Sequence, residues 1–330
     1  MQGRLEHELR TKKSIQKLLS EMPTCVSDYY YNIQISKEPM TCLEYLRKIN
    51  HFLKFAGDDV AKIDDTIIGR YFEQISYSID KYGNIKKTSF AYKQTVWSAL
   101  NQFFTYLTKK KIVDSNPMEQ TDRPPKKDKV TRKFLTMEDL NLILSSVKNG
   151  AGSHKAIAKQ KEWIERDMLI IFLFMTTGMR KTALSEINVS DISFTEKKLI
   201  VTDKRNKTIE YNVTDEMSDI INVWLKKRNK LLIDKETDAL FISSRRERMS
   251  EKAIYNLVKK YSEEALGYSI SPHKLRAAFI SLYYEATGGD IKATCDAVGH
   301  ADISTTSIYI TQRNESRKEA QNFMSRSLVM

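Results

Sequence analysis

Two short stretches carry histidine, arginine and tyrosine at spacings that suit phosphate chemistry. In SPHKLRAAFISLYY, Ser271 can cap a helix and Pro272 suits its first turn. His273 and Arg276 then share one helical face, while Leu275, Phe279 and Leu282 turn the other way, toward a core. Backbone N–H groups and the dipole at a helix N-terminus already favour an anion, so the pair fits one phosphate there. A second arginine, Arg180, follows a helix-ending Gly178 in TTGMRKTAL. Further on, VGHADISTTSIYI sets His300 after Gly299 and brings Tyr309 nine positions later. A surface histidine beside an arginine also produces H-x-x-R, so the weight rests on the whole set.

The elements that must hold these residues are legible from periodicity. FLTMEDLNLILSSV opens a helix with Thr136 as its N-cap. The apolar run MLIIFLFM, 168–175, reads as a buried helix ending at Thr177 and Gly178. KLIV (198–201) and TIEYNV (208–213), the second alternating Ile209, Tyr211 and Val213, bracket the turn TDKRNK. That hairpin presents Lys204 at its tip, with Lys207 as the rival lysine. INVWLKKRNKLL, EKAIYNLVKKYSEEA, PHKLRAAFISLYYEAT and DIKATCDAV continue as helices, and a short helix is expected around Tyr309.

Upstream, CLEYLRKINHFLKFA (42–56) and SFAYKQTVWSALNQFFTYLTKKK (89–111) repeat apolar residues at helical spacing. Trp97, Leu100, Phe103, Phe104 and Leu107 form one stripe, read as core rather than as base-stacking platforms. An all-helical bundle over 38–116 follows, preceded by an extension, 1–37, with a helix over 4–20. The stretch 117–133 has three prolines and many cations and reads as a basic linker. The second domain spans 134–330. Its tail, 311–330, has too few apolar residues, Phe323, Met324, Leu328 and Val329 among them, for a core of its own. The expected fold is mainly α with a small β-sheet.

The chain has 330 residues, a formal charge of +12 and a pI near 9.3, which points to a polyanionic partner. Residues 81–133 hold 13 Lys or Arg against 4 Asp or Glu, so this segment is the expected footprint. Lys86, Lys87, Lys93, Lys126, Lys127 and Lys129 are its candidate contacts. A membrane is disfavoured, because the longest apolar run has eight residues and about 20 are needed to span a bilayer. MQGRLEHELRTKK lacks an apolar signal region, and Cys25, Cys42 and Cys295 lack metal-ligand spacing. A reduced, cytoplasmic setting is expected.

In this order and spacing, Arg180, Lys204, His273, Arg276, His300 and Tyr309 resemble the catalytic set of the tyrosine recombinases, the family of phage integrases and Xer-type recombinases. PHKLRAAFISLYYEATGGDIKATCDAVGHADISTTSIYI resembles that family's C-terminal motif nearly position by position, and the bundle resembles its SAM-like core-binding domain. The resemblance covers about 38–315. Two positions depart from the family pattern: Ala183 stands where an acidic residue is usual, and Ala277 where a histidine is common.

The resemblance implies a core-binding domain and an α+β catalytic domain closing around double-stranded DNA. Attack by the Tyr309 hydroxyl on a phosphodiester would give a 3′-phosphotyrosine, keeping the bond energy for rejoining without ATP. Arg180 and Arg276 would clamp the nonbridging oxygens, His273 would accept the tyrosine proton and His300 would hydrogen-bond the phosphate. Lys204 would protonate the departing 5′-oxygen. No cofactor or metal is implied, and the sequence has no carboxylate cluster to bind one. The resemblance further implies a homotetramer on paired sites, with accessory DNA-bending or directionality proteins as possible partners. Integration or excision of a mobile element is the expected role. Xer-like resolution of chromosome dimers is the alternative, and topoisomerase IB-like relaxation or noncatalytic DNA binding are more distant ones.

Overall fold

The computed structural model describes residues 2–79, 83–125, 134–203, 207–232 and 235–299. The chain divides into two compact units between Val130 and Thr131.

The first unit is built on α1 (Gln2–Leu19), α2 (Thr24–Ile33), α3 (Pro39–Ala56), α4 (Asp65–Gln74) and α5 (Phe90–Lys109). Asp64 caps α4 by accepting from Ile67 N at 2.8 Å, and Ser89 caps α5 by accepting from Tyr92 N at 3.2 Å. On α5 the residues Leu100, Phe103, Phe104 and Leu107 are fully buried, as their stripe requires. They close one core with Ile15, Tyr29, Leu46, Phe52 and Tyr71.

Three sequence expectations change here. The segment 1–37 is not a separate extension: α1 and α2 contribute Ile15, Leu19, Val26, Tyr29, Tyr30 and Ile33 to that same core. Burying an aliphatic side chain of this kind is worth about 1.5–3 kcal/mol, so these helices are structural members of the domain. The bundle is not all helical, because β1 (Tyr77–Ile79) and β2 (Ile85–Lys87) pair antiparallel between α4 and α5. Runs of three residues are shorter than the pattern by which a strand is recognised. The linker also begins later than residue 117. Met118 is fully buried, and the Asn116 amide donates to Asn101 Oδ1 at 2.9 Å. Downstream, Gln94 Nε2 donates to Pro124 O at 2.8 Å and Arg123 lies over the Trp97 ring.

In the second unit, α6 (Met137–Asn149) opens with the expected cap. Thr136 Oγ1 accepts from Asp139 N while Asp139 returns a carboxylate to Thr136 N. Next come α7 (His154–Gln160), α8 (Ile164–Thr177) and α9 (Lys181–Glu186), then β3 (Ile192–Ser193), β4 (Lys198–Asp203) and β5 (Lys207–Asn212). The strands form one antiparallel sheet in the order β3-β4-β5, with Leu199 opposite Tyr211 and Val201 opposite Ile209. Four helices complete the unit: α10 (Asp215–Leu231), α11 (Glu251–Leu266), α12 (Pro272–Ala286) and α13 (Ile291–Ala297).

Helix α8 is central and packs against α6, α10, α11 and α12. Neighbours on several sides explain its unbroken apolar run, since Leu169, Ile170, Ile171, Leu173 and Phe174 are all fully buried. Near its start Asp167, also buried, accepts from Arg166 Nε at 2.9 Å and from the Tyr261 hydroxyl at 2.8 Å. Burial, reinforced by Asp167, pushes the Tyr261 phenol above its ordinary value. Burial also lowers Lys260, against the opposing pull of the Asp167 charge. Among the described residues, no helix is long and apolar enough to cross a membrane.

Candidate active site

The site is assembled around the end of α8. Gly178 ends that helix in the left-handed conformation, φ +59°, with its N–H on Phe174 O at 3.2 Å. A side chain is excluded there for a second reason: a Cβ at Gly178 would lie 2.5 Å from Phe279 Cδ1 on α12. Met179 next enters the core, and Arg180 follows in an extended conformation as the N-cap residue of α9. Arg180 is half-buried and its carbonyl accepts from Leu184 N at 3.0 Å.

The helix that begins after Arg180 is fixed at both ends. Lys181 Nζ lies 2.8 Å from Glu251 on α11. At the other end Arg248 donates from Nη1 to Ser185 O and Ile187 O, each at 3.1 Å, and from Nη2 to Asn188 Oδ1. Nothing in the run RRERMS distinguishes Arg248 from its neighbouring arginines, so its bracing role is visible only in the fold.

Helix α12 has Pro272 in its first turn, as expected. Ser271 occupies the N-cap position without a side-chain cap bond, and its carbonyl instead accepts from Lys274 N at 2.8 Å. His273 is exposed, whereas Arg276 is only 3% exposed. Arg276 donates from Nη1 to Gly178 O and from Nη2 to Val298 O at 2.9 Å. Its planar fork therefore joins three pieces of chain: the end of α8, α12 and the residue after α13. Helix α13 is capped by Asp290, which accepts from Ala293 N at 2.9 Å, and ends at Val298 and a left-handed Gly299, φ +65°.

The structure thus brings Arg276 to the turn that carries Arg180 and to the chain that leads toward His300. His300 and Tyr309 lie outside the described residues, as do Lys204, Lys126, Lys127 and Lys129. Lys207 opens β5 opposite Asp203. Lys86 and Lys87 lie exposed on β2. Lys93 is half-buried and donates to Ser76 Oγ at 2.7 Å.

The two family departures fall in apolar surroundings. Ala183 belongs to the main core, and Ala277 clusters with Ile280 and Val298. A carboxylate at 183 would lose water with apolar groups around it, a costly exchange unless a cation met it there.

With this geometry in view, comparison with known proteins is specific. The profile of the phage integrase family matches residues 133–316. Tyrosine recombinase XerC of Psychromonas ingrahamii is 28% identical over 294 residues, covering 88% of this chain and 92% of that protein. Tyrosine recombinase XerC of Caldanaerobacter subterraneus subsp. tengcongensis is 30% identical over 315 residues, covering 89% and 84%. Among solved structures, XerH bound to a palindromic difH substrate in a post-cleavage complex superposes with a TM-score of 0.64 at 19% identity, covering 91% of this chain and 84% of that one. A lambda integrase dimer bound to a COC′ core site gives 0.63 at 19% identity, covering 88% and 96%.

Proposed function

Because the chain belongs to the phage integrase family, the tyrosine recombinases, we propose that it is a site-specific recombinase that breaks and rejoins duplex DNA through Tyr309. The Tyr309 hydroxyl attacks the scissile phosphorus, the bond to the 5′-oxygen breaks, and the 3′-phosphate remains on the tyrosine. His273 takes the phenolic proton, and Lys204 supplies one to the departing 5′-oxygen. Arg180, Arg276 and His300 bind the nonbridging oxygens as charge builds on them. The chain works as a homotetramer on two paired sites.

The observation that carries this reading is the pair of hydrogen bonds that Arg276 donates to Gly178 O and Val298 O. It ties together the backbone next to two of the other proposed catalytic positions, Arg180 and His300. His273 stands one turn earlier on the same helix and is exposed. A Tyr309→Phe protein should bind duplex DNA with near-normal affinity yet form no denaturant-resistant adduct on a nicked substrate. A persistent adduct in that variant overturns the assignment of the nucleophile.

For the biological role we propose resolution of chromosome dimers in place of the expected integration or excision of a mobile element, and two observations favour it. The relatives reported above are XerC proteins, and α1 and α2 are part of the domain core rather than an added module. Recombination between two sites on one circle, compared with joining of two separate molecules, separates the two roles. Relaxation of supercoiled DNA without any paired site would instead favour a topoisomerase.

A further inference from the structure

The β1–β2 hairpin is the one strand pair of the N-terminal unit's described residues, and neither of its faces packs on the core. All six strand residues are exposed. Tyr77, Ile79 and Ile85 are 60%, 73% and 72% exposed. The register sets Tyr77 opposite Lys87 and Ile79 opposite Ile85, so these four side chains share one face. Scattered exposed apolar residues need no explanation, but a contiguous face of this kind does. A two-stranded hairpin is marginal by itself. This one stands on a fixed base: Thr88 N donates to Ser76 O at 2.9 Å, Ser76 Oγ to Phe72 O at 2.7 Å, and Lys93 Nζ to Ser76 Oγ at 2.7 Å.

We propose that this hairpin lies in the major groove of duplex DNA and reads thymine methyl groups with Ile79 and Ile85. The inference rests on the proposal that duplex DNA is the substrate. Charge favours this occupant, since Lys86 and Lys87 lie exposed on β2. A two-stranded ribbon fits the major groove, about 12 Å wide, and not the minor groove of about 6 Å. Branched aliphatic side chains gain nothing from phosphates, and the apolar group that base edges offer in the major groove is the thymine C5-methyl. Docking the same face of a second copy would bring together two surfaces that each carry the Lys87 cation, which like-charge repulsion opposes.

The test uses the full chain and a short duplex that it selects from a randomised pool, together with the same duplex carrying deoxyuridine in place of every thymidine. The wild-type protein should lose about fourfold in affinity for each methyl group covered. In the Ile79→Ser/Ile85→Ser protein that loss should shrink by the same factor, while the slope of log affinity against log salt stays unchanged, since no charge is removed. An equal loss in both proteins overturns the inference. So does a change in self-association measured without DNA, which would make the face a contact between copies. If the wild-type protein selects no duplex at all, the DNA reading itself fails, a result distinct from the other two.

Discussion

Arg276 and Gly178 are hydrogen-bonded across 98 positions of sequence, from a guanidinium on α12 to the carbonyl that ends α8. Two residues beyond that carbonyl stands Arg180. The relationship anchors α12 to the turn from which Arg180 projects. A second bond, to Val298 O, extends the same anchorage to the chain before His300.

Arg276→Lys keeps the charge and loses the fork, since one ammonium on a flexible stem cannot hold both carbonyls as the planar group does. Strand cleavage should fall by about 10²–10³, the usual cost of removing one preorganised donor to a transition state. Duplex affinity should fall far less. Single-turnover cleavage alongside a binding titration measures both, and equal losses in the two would reduce Arg276 to a binding residue.

Gly178→Ala meets two obstacles, a left-handed backbone costing about 1–2 kcal/mol and a Cβ 2.5 Å from Phe279 Cδ1. Overpacking of that kind costs about 1–3 kcal/mol more. Adding Phe279→Leu to the same protein should recover part of the second cost and none of the first. Denaturant unfolding of the single and double variants decides it: a double variant no more stable than Gly178→Ala would show that the ring is not the obstacle.

Alkaline pH should expose the tyrosines unevenly. Tyr29, Tyr71 and Tyr261 are buried, and burial holds all three phenols above their ordinary value of 10.0. Because they keep their protons in the folded state, their contribution to stability is complete below pH 10 and is lost as pH rises beyond it. Phenolate absorbance from these three of the 16 tyrosines should therefore appear together with unfolding. A native protein that titrates all 16 near pH 10 would contradict their burial.

Replacing Lys126, Lys127 and Lys129 by glutamine should flatten the plot of log affinity against log salt by about 2 to 3 units, at roughly 0.9 per phosphate contact. Preference among duplex sequences should change little, because phosphate contacts position rather than specify. An unchanged slope would return these lysines to an ordinary solvated surface.

The sequence made the long helices legible because each carries a full apolar stripe, as on α5, or is apolar nearly throughout, as on α8. The β4–β5 hairpin was equally plain from the alternation of Ile209, Tyr211 and Val213. The Thr136 cap and the Gly178 stop follow from side-chain chemistry alone. What escaped was set by distance in sequence. Nothing near Gly178 announces Phe279, and nothing in α1 announces that Ile15 shares a core with Met118. On α12 the periodicity set His273 and Arg276 on one face away from the core, and this holds for His273 alone, because Arg276 is buried on carbonyls that lie far away in sequence.

The shared core of Ile15 and Met118 bears on how the protein is made. A nascent chain emerges from its N-terminus, and domains generally fold as units during synthesis. Helices α1 and α2 precede the rest of this unit, yet the hydrophobic layer they help to build stays open until Met118 and the Asn116 clasp on α5 have left the ribosome. For that interval Tyr29, Tyr30 and Ile33 have no finished core to enter. The core is therefore a property of the whole stretch from Ile15 to Met118, and a fragment that stops short of Met118 should not close it.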